Sequence, residues 1–358
     1  MAESRTRDLT IAVDVNPATR ALVTGTESFT REVGARLVKA SPELRWRFFA
    51  SRPRANLGMD VMVLPFPRLW SQVRLPLALA AARPSLLFVP GHVIPFAWPG
   101  KVLTVVHDLA FERHPEAYAL VDRTYLRTTT RWAVARCRLL IAVSESTKDD
   151  LVQLYGVAPD RVRVVPLGIG PPASSAAPSS RLTQLGLNGT FVLQVGRVER
   201  RKNQAAALGA VERLEGVTLV VAGSERDHGL SERLRNSTHC RLLGRVDQPL
   251  LELPSTRAAA VIVPSLYEGF GLPVLEAMAR GKVVVAAKAS SLPEVGGEAV
   301  LYFHPSATSE QVAGILDVAL KDQQLRAQLA RLARARARKF TWERTAAGVA
   351  EVIKELVS

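Results

Sequence analysis

The sequence predicts an α/β protein with two doubly wound parallel-sheet domains in tandem. The chain has 358 residues, enough for about two hydrophobic cores. Short apolar runs alternate with segments of helical period along most of its length. The alternation stops in the stretch GPPASSAAPSS and then starts again. We therefore place the domains at 1–170 and 181–340, a linker at 171–180 and a last helix at 341–358.

The first half begins with the strand LTIAVDV and a helix whose Phe29, Val33 and Leu37 share one stripe. Four short apolar strands are predicted next: RWRFFAS, VMVLPF, LLFVPG and KVLTVVHD. They are followed by the helix PEAYALVDRTYLRTTTRWAVARC, the strand RLLIAVS, the helix ESTKDDLVQLYG and the strand RVRVVPLGI. This order predicts a parallel sheet wrapped by helices.

The second half repeats the pattern. Its predicted strands are FVLQVGRV, TLVVAGS, CRLLGRV, AAAVIVPS, VVVAAKA and AVLYFHP, and its end is helical with one interruption near Phe340 and Thr341. Ligands of such sheets bind beyond the carboxyl ends of strands, and two facing domains create a cleft. Residues that directly follow strands are therefore the candidate ligand contacts.

Composition limits the partners. Lys and Arg number 47 against 33 Asp and Glu, and both halves share the excess. This indicates an anion-attracting surface and leaves nucleic acid, anionic lipid and phosphorylated small molecules open. Cys137 and Cys240 fall in different halves, which indicates neither a disulfide framework nor a metal cluster. No signal-peptide core or membrane-spanning run is recognisable, so we expect a cytoplasmic protein.

Two places in the first half carry candidate site residues. Gly25 precedes a helix expected to begin near Glu27, and a glycine there lets the backbone approach an anion. The alternative is a plain strand–helix turn. His107 and Asp108 end an apolar strand, where the histidine could donate to a hydroxyl or phosphate. The alternative is a turn histidine followed by a capping aspartate.

A third place is the stretch LQVGRVERRKNQ. Gly196 ends a strand, and Arg197 and Lys202 fall in the loop before the next helix. A guanidinium, an ammonium and a helix N-terminus together can hold a diphosphate. The alternative is a solvated cationic loop, to which we assign Arg200 and Arg201.

The fourth place is the stretch PSLYEGFGLPVLEAMARG. Gly271 suits a backbone that passes close to a ligand, and a helix from Pro273 to about Arg280 would place Glu276 in its first turn. A carboxylate accepts from two donors at once, so Glu268 and Glu276 can each bind a vicinal diol of a nucleotide sugar. The alternatives are a helix-dipole partner for Glu276 and a capping or surface role for Glu268.

Seven pieces of the chain, taken in order, resemble a known family: VHDLAFERHPEAY, AVSESTKDDL, VRVVPLGI, VGRVERRKN, LYEGFGLPVLEAMARG, SLPEVGGEAVLYF and FTWERTAAGVAEVI. The chain is similar to the retaining glycosyltransferases of family 4, and among them to bacterial mannosyltransferases of polysaccharide assembly. The resemblance implies the GT-B fold, with two Rossmann-like domains and an interdomain cleft. It also implies an acceptor-binding first domain, a nucleotide-sugar-binding second domain, and a last helix that crosses back to the first.

The resemblance also implies roles for single residues. Glu268 would contact the donor sugar and support its developing positive charge, and Glu276 would contact the ribose. Arg197 and Lys202 would neutralise the leaving diphosphate, and His107 would lie near the reacting sugar. The implied catalytic residues are His107, Glu268, Arg197 and Lys202. The implied donor contacts are Gly25, Gly196, Arg197, Lys202, Val246, Glu268, Phe270, Gly271, Leu272 and Glu276.

The implied reaction moves a hexose from a nucleoside diphosphate sugar to a glycan or polyprenyl-linked acceptor, with retention and without a metal ion or other cofactor. Family proximity favours GDP-mannose as the donor, followed by UDP-hexoses. No nucleic-acid-binding module is recognisable. A nucleotide-sugar 2-epimerase on the same fold and a catalytically silent basic binding protein remain as alternatives.

Arginines and aromatic residues are interleaved in one part of the first half. Trp46, Phe48, Phe49 and Trp70 lie in sequence beside Arg45, Arg47, Arg52, Arg54, Arg68 and Arg74. Such a pattern suits an anionic surface at the inner face of the cell membrane, or a lipid diphosphate. The alternative is that the aromatic residues belong to the core.

Overall fold

The computed structural model describes residues 9–20, 25–66, 68–172 and 180–358. The chain divides into two compact units, one formed by Met1–Gly168 with Phe340–Ser358 and the other by Ile169–Lys339. Each unit contains a parallel sheet with helices between its strands, which confirms the predicted fold class. The interpretation of 171–180 as a linker falls mostly on 173–179, which lie outside the described residues.

The first unit contains a seven-stranded parallel sheet. Its strands are β1 Thr10–Asp14, β2 Arg45–Ala50, β3 Val61–Val63, β4 Leu86–Val89, β5 Val102–Val106, β6 Leu140–Ala142 and β7 Val162–Val164. Their order across the sheet is β3-β2-β1-β4-β5-β6-β7. The α-helices between them are α1 Gly25–Ala40, α2 Arg74–Ala82, α3 Ala110–Arg113, α4 Leu120–Arg136 and α5 Glu145–Tyr155.

The second unit contains a six-stranded parallel sheet. Its strands are β8 Thr190–Val195, β9 Val217–Ala222, β10 Cys240–Gly244, β11 Ala260–Val263, β12 Val284–Ala287 and β13 Leu301–Phe303, in the order β10-β9-β8-β11-β12-β13. Its helices are α6 Ser180–Gln184, α7 Gln204–Val211, α8 His228–Asn236, α9 Gln248–Arg257, α10 Leu272–Ala279, α11 Leu292–Gly296, α12 Ser309–Lys321 and α13 Gln323–Ala337.

The central strands are apolar because helices cover both faces of each sheet. Strands β4, β5, β11 and β12 are buried along their whole length, as expected for parallel strands within a doubly wound sheet. In both sheets the strand order reverses beside the first strand, between β1 and β4 and between β8 and β11. Such switch points open a crevice at the carboxyl ends of the strands, where ligands of these folds bind.

The last helix, α14 Trp342–Val357, belongs to the first unit, although the second unit lies between them in sequence. It packs against α1, with the rings of Trp342 and Phe29 6.5 Å apart. The Thr345 hydroxyl donates a hydrogen bond of 2.8 Å to the Pro166 carbonyl. The apolar face of α14 therefore completes the core of the first unit.

Three of the four interleaved aromatic residues of the first half lie in the core, and the fourth is half-buried. Phe48, Phe49 and Trp70 are buried, and the Trp70 indole donates to the Leu64 carbonyl at 2.8 Å. Trp46 is half-buried and donates to a backbone carbonyl at 3.0 Å. The interpretation that these rings face a membrane is wrong, because Phe48 and Phe49 are buried within β2 and Trp70 is buried in the turn before α2. Within the described ranges, no helix has the length and apolar character needed to cross a bilayer.

Both cysteines are free thiols. Cys137 lies in the first unit and Cys240 in the second, and burial raises the pKa of each thiol to about 12. Thiols with so high a pKa are poor nucleophiles and poor metal ligands at neutral pH.

Candidate functional site

A buried ion pair lies at the switch point of the second sheet. Lys202 follows β8 and Glu268 follows β11, the two strands between which the strand order reverses. The Nζ atom of Lys202 lies 2.5 Å from Oε1 of Glu268. Only 9% of Lys202 and 7% of Glu268 is exposed, so both charges are largely removed from water. The structure thus brings together two of the predicted catalytic residues.

The backbone around Lys202 is held by a tight turn and by a hydrogen bond to its carbonyl. Gly196, with φ of 149°, directly follows β8, and a short 3₁₀ turn, Arg200–Lys202, comes after it. The Lys202 carbonyl accepts a hydrogen bond of 2.9 Å from the Gln194 side chain. Asn203 then takes φ of 51° and leads the chain into α7. These contacts fix the lysine in one position relative to the sheet.

Three serines fix Glu268. The Ser265 hydroxyl donates to Oε1 of Glu268 at 2.8 Å. The backbone N–H of Glu268 donates to the Ser290 hydroxyl, and the Ser291 hydroxyl donates to the Glu268 carbonyl, both at 2.8 Å. A carboxylate held in this way is oriented before any ligand binds, which is what a binding group for sugar hydroxyls requires.

Each charge of the Lys202–Glu268 pair favours the ionised form of the other. Burial raises the pKa of the Glu268 carboxyl, but the charges of Lys202 and Arg201 and the hydrogen bond from Ser265 hold it below its usual value. Burial lowers the pKa of the Lys202 ammonium, Arg201 adds to this effect and Glu268 opposes it. Glu268 is therefore an ionised carboxylate at neutral pH.

Arg201 belongs to this cluster, and its assignment to a solvated cationic loop is wrong. Its guanidinium is 13% exposed and lies 2.8 Å from Glu199 and 3.9 Å from Glu268. It also donates to the Tyr267 carbonyl at 3.0 Å. The 3₁₀ turn directs Arg201 inward, whereas Arg200 keeps 75% exposure, as the solvated interpretation requires.

Arg197 lies at the open side of the cluster. Its side chain is 44% exposed and its Nη1 atom lies 3.9 Å from the buried carboxylate of Glu199. The Gln204 side chain donates to the Arg197 carbonyl at 2.9 Å. A half-exposed guanidinium with a distant partner remains able to bind an incoming anion.

Helix α10 begins one residue earlier than the sequence predicts. Gly271 takes φ of 102°, is the N-cap, and makes Leu272 the first helical residue. Glu276 is consequently the fifth residue of the helix, so its predicted place in the first turn is wrong. Phe270, directly before the cap, is 4% exposed. The N-terminus of α10 follows Glu268 closely along the chain, so backbone N–H groups begin close to the ion pair in sequence.

A second buried ion pair, not found from the sequence, supports Glu276. The Arg280 guanidinium contacts both carboxylate oxygens of Glu252, at 3.0 and 2.6 Å, and donates to the Glu276 carbonyl at 2.7 Å. This pair ties α9 to α10. Burial raises the pKa of Glu276; Arg280 opposes this effect and Glu252 adds to it.

Val246, one of the implied donor contacts, lies beyond the end of β10. It is half-buried and follows Gly244, which has φ of 64°. Gly223 directly follows the neighbouring strand β9, and a Cβ added to it would lie 1.9 Å from the Gly196 carbonyl oxygen. Only a glycine allows the loops after β8 and β9 to approach this closely.

The other two predicted residues, Gly25 and His107, lie in the first unit. Helix α1 begins at Gly25 itself, and residues 21–24 before it lie outside the described residues. Phe29 of this helix packs edge-on against the His107 ring, with centroids 5.2 Å apart. The helix start and the histidine therefore lie at the same edge of the first sheet, at the carboxyl ends of its strands.

The His107 ring donates its proton to a backbone carbonyl and is left as an acceptor toward any ligand. Its Nε2 atom lies 2.7 Å from the Pro90 carbonyl, which can only accept, so Nε2 carries the proton. Burial lowers the pKa of His107, against the opposing effects of Pro90, Asp108 and Glu27. The neutral ring leaves Nδ1 as an acceptor, so the expectation that His107 donates is corrected. The capping role of Asp108 is confirmed, since its carboxylate accepts from the Ala110 N–H at 3.0 Å.

Two further titratable residues at the carboxyl edge of the first sheet were not found from the sequence. Asp14 ends β1, and burial raises its pKa to about 7 against the effects of Asn16 and Arg20. His92 follows β4, and burial lowers its pKa to about 4. At neutral pH His92 is therefore uncharged and Asp14 is partly protonated, and such perturbed pKa values are common at functional sites.

Most of the chain matches two models of known protein families. The family model described as Glycosyltransferase Family 4 matches residues 24–171, and the model described as Glycosyl transferases group 1 matches residues 182–336. O-antigen chain mannosyltransferase B of Escherichia coli is 30% identical over 260 residues, covering 68% of this chain and 67% of that protein. A D-inositol 3-phosphate glycosyltransferase of Xylanimonas cellulosilytica is 34% identical over 61% of this chain and 57% of its own length.

The fold has a solved counterpart. Anabaena HepE, solved in complex with UDP and glucose, superposes with a TM-score of 0.75 at 22% identity, over 97% of this chain and 100% of HepE. At that identity the likeness shows the fold. The sequence relatives and both family models show the family, and the chain is a glycosyltransferase of family 4 with the GT-B fold.

Proposed function

We propose that this protein transfers a hexose, with retention of configuration and without a metal ion, from a nucleoside diphosphate sugar to a glycan or lipid-linked glycan. One observation carries the proposal: the buried pair of Lys202 and Glu268 at the switch point of the second sheet. A nucleoside diphosphate sugar has a negatively charged diphosphate and a hydroxyl-rich sugar. Cationic groups suit the first and carboxylates suit the second, and both lie side by side at this position. GDP-mannose is the proposed donor, since a mannosyltransferase is among the sequence relatives.

The cationic side of the cluster fits the diphosphate. A lysine ammonium has three donors, and the bond to Glu268 uses one of them. Arg197 is open to solvent on one side. The backbone N–H groups at the start of α10 add the positive end of a helix dipole. These groups together would neutralise the leaving diphosphate, the task that a metal ion performs in other enzymes.

The anionic side fits the sugar. Glu268 is ionised and oriented by Ser265, so it can accept hydrogen bonds from sugar hydroxyls and stabilise positive charge on the ring. Glu276 is half-buried on the next helix and would contact the ribose. In the proposed reaction the bond between the anomeric carbon and the phosphate oxygen breaks. The acceptor oxygen forms its bond on the same face and passes its proton to the departing phosphate oxygen.

A donor screen followed by product analysis tests this function. Among GDP- and UDP-hexoses, GDP-mannose is expected to raise the melting temperature most and to release GDP only when a glycan or polyprenyl-linked acceptor is present. The anomeric coupling constant of the product, measured by NMR, is expected to match that of the donor. Inverted product would contradict retention, and a free 2-epimer formed without acceptor would contradict transfer.

We also propose a place of contact with an anionic membrane, different from the buried aromatic residues. Leu69, Val73 and Leu77 are spaced by four and exposed by 68%, 40% and 62%. Phe66, three positions before Leu69 in sequence, and Phe96, in the segment after β4, are exposed by 38% and 45%. The Gln72 side chain joins the two segments by accepting from the Phe96 N–H at 2.9 Å. We call these five apolar residues the apolar stripe.

Charge supports this assignment. Residues 61–107 contain no Asp or Glu, and their charged residues are Arg68, Arg74, Arg83 and Lys101. Apolar side chains inserted at the level of lipid headgroups, with cations around them, are the usual features of a peripheral membrane contact. This contact would bring the enzyme to a lipid-linked acceptor.

Vesicle co-sedimentation tests the membrane contact. Leu69→Asp/Leu77→Asp is expected to weaken binding to phosphatidylglycerol vesicles at least about tenfold, because two exposed apolar side chains that would enter the lipid are lost and the two new negative charges oppose insertion. Val38→Asp/Val318→Asp is the matched control, since Val38 and Val318 are 50% and 49% exposed elsewhere. Equal binding by both variants would contradict the proposal.

A further inference from the structure

A cationic cavity lies at the opposite edge of the second sheet from the Lys202–Glu268 pair. Its volume is about 250 Å³, and Lys282, Val283, Gln323 and Arg326 are among the residues that line it. Val283 directly precedes β12, so the cavity lies at the amino ends of the strands. The ion pair follows their carboxyl ends, and the cavity therefore cannot belong to the donor site.

Two positive charges line the cavity and two more lie near it at exposed positions. Lys282 and Arg326 line it, and Arg257 and Arg334 are near enough to act on the lysine. Burial lowers the pKa of Lys282, and the charges of Arg326, Arg257 and Arg334 lower it further. In the described part of the chain, no Asp or Glu forms an ion pair with any of the four. Crowded like charges without a counterion are unfavourable unless something balances them.

Helix ends balance this charge only in part. Lys282 donates to the Ala258 carbonyl after α9 at 3.0 Å, and Arg326 donates to the Leu320 carbonyl in α12 at 3.2 Å. Helix α10 also ends here, directly before Arg280. Three helix C-termini supply roughly −1.5 charges, about half a charge each, against four cations. A positive excess therefore remains at the cavity.

We propose that this cavity binds a small phosphate-bearing anion, as a site separate from the donor site. Arg326 offers a planar fork that suits phosphate oxygens, and Lys282 offers a compact ammonium beside it. The Gln323 amide adds a neutral donor at the rim. The proposal does not depend on the function proposed above, because none of its residues takes part in that function.

Pyrophosphate titration by calorimetry, on the full-length protein in chloride buffer, tests the proposal. The wild type is expected to bind two equivalents, one at each site, and Lys202→Met is expected to bind one. Lys282→Gln/Arg326→Gln is expected to bind at least about tenfold more weakly at the cavity, because two charged donors are lost. Arg331→Gln/Arg338→Gln removes the same charge from exposed positions of the same region and is expected to bind two.

The number of pyrophosphate equivalents bound by each variant decides between the two sites. Two equivalents retained by Lys282→Gln/Arg326→Gln would overturn the cavity site, as would a wild type whose only binding is lost in Lys202→Met. If Lys282→Gln/Arg326→Gln loses pyrophosphate binding and Lys202→Met binds as the wild type does, the cavity site is supported and the proposed donor site is contradicted. If the double variant does not fold, Arg326→Gln alone is compared with Arg331→Gln. Titration with a hexose phosphate, compared with pyrophosphate, distinguishes a sugar phosphate from an inorganic anion as the ligand.

Discussion

Replacing Lys202 with methionine is expected to lower turnover about a hundredfold or more, because a positioned charged donor to the leaving diphosphate is lost. Methionine nearly preserves the volume, so packing against Gly196 and Gln194 is retained. The measurement is release of nucleoside diphosphate at saturating donor. Arg200→Gln is the matched control: it removes a charge from the same turn, but from a side chain that is 75% exposed, and it is expected to leave turnover nearly unchanged.

The same substitution affects stability, and a second variant separates the two effects. Lys202→Met leaves the buried Glu268 carboxylate with Ser265 and with Arg201 at 3.9 Å. Breaking a buried pair in this way costs about 3–5 kcal/mol. Lys202→Met/Glu268→Gln removes both charges and is expected to regain most of that stability while staying inactive. An active double variant, or a single variant with normal turnover, would contradict the assigned role.

Removing the last helix is expected to prevent the first unit from folding. A chain that ends at Lys339 lacks α14, whose buried side chains include Trp342, Val349, Ile353 and Leu356. Their burial contributes on the order of 10 kcal/mol. That equals a typical total stability of about 5–15 kcal/mol. Limited proteolysis with mass spectrometry is expected to find rapid cleavage within the first unit.

Point variants keep this prediction testable if the truncated chain aggregates. Ile353→Ala is expected to lower the free energy of unfolding of the first unit by about 2–5 kcal/mol, measured by urea denaturation. Glu351→Gln, on the exposed side of the same helix, is expected to leave the melting temperature unchanged. A protease-resistant first unit in the truncated chain would show that α14 is dispensable.

The sheets could be predicted from the sequence because their strands are buried on both faces. Runs such as VVVAAKA and AAAVIVPS are apolar throughout, and only a parallel sheet between helix layers buries them. Lys202 and Glu268 could be proposed separately, because each follows such a run. Their direct contact could not, since it depends on β8 lying beside β11, an order that the sequence does not contain.

Three features of the site could not be predicted from the sequence, each for a structural reason. Arg200 and Arg201 are indistinguishable in sequence, and only the 3₁₀ turn directs one inward and the other to solvent. The Glu252–Arg280 pair joins two helices 28 positions apart, and no periodicity connects them. The position of Glu276 was misjudged because Gly271 takes a left-handed conformation and becomes the N-cap. A backbone conformation decided the position of Arg201 and of Glu276, and the packing of two helices decided the Glu252–Arg280 pair.

The most direct measurement is a crystal structure of the protein soaked with a nucleoside diphosphate sugar. The account predicts diphosphate oxygens within hydrogen-bonding distance of Lys202 Nζ and the Arg197 guanidinium, and sugar hydroxyls on the Glu268 carboxylate. A diphosphate bound away from the carboxyl ends of β8 and β11, with the Lys202–Glu268 pair untouched by ligand, would contradict it.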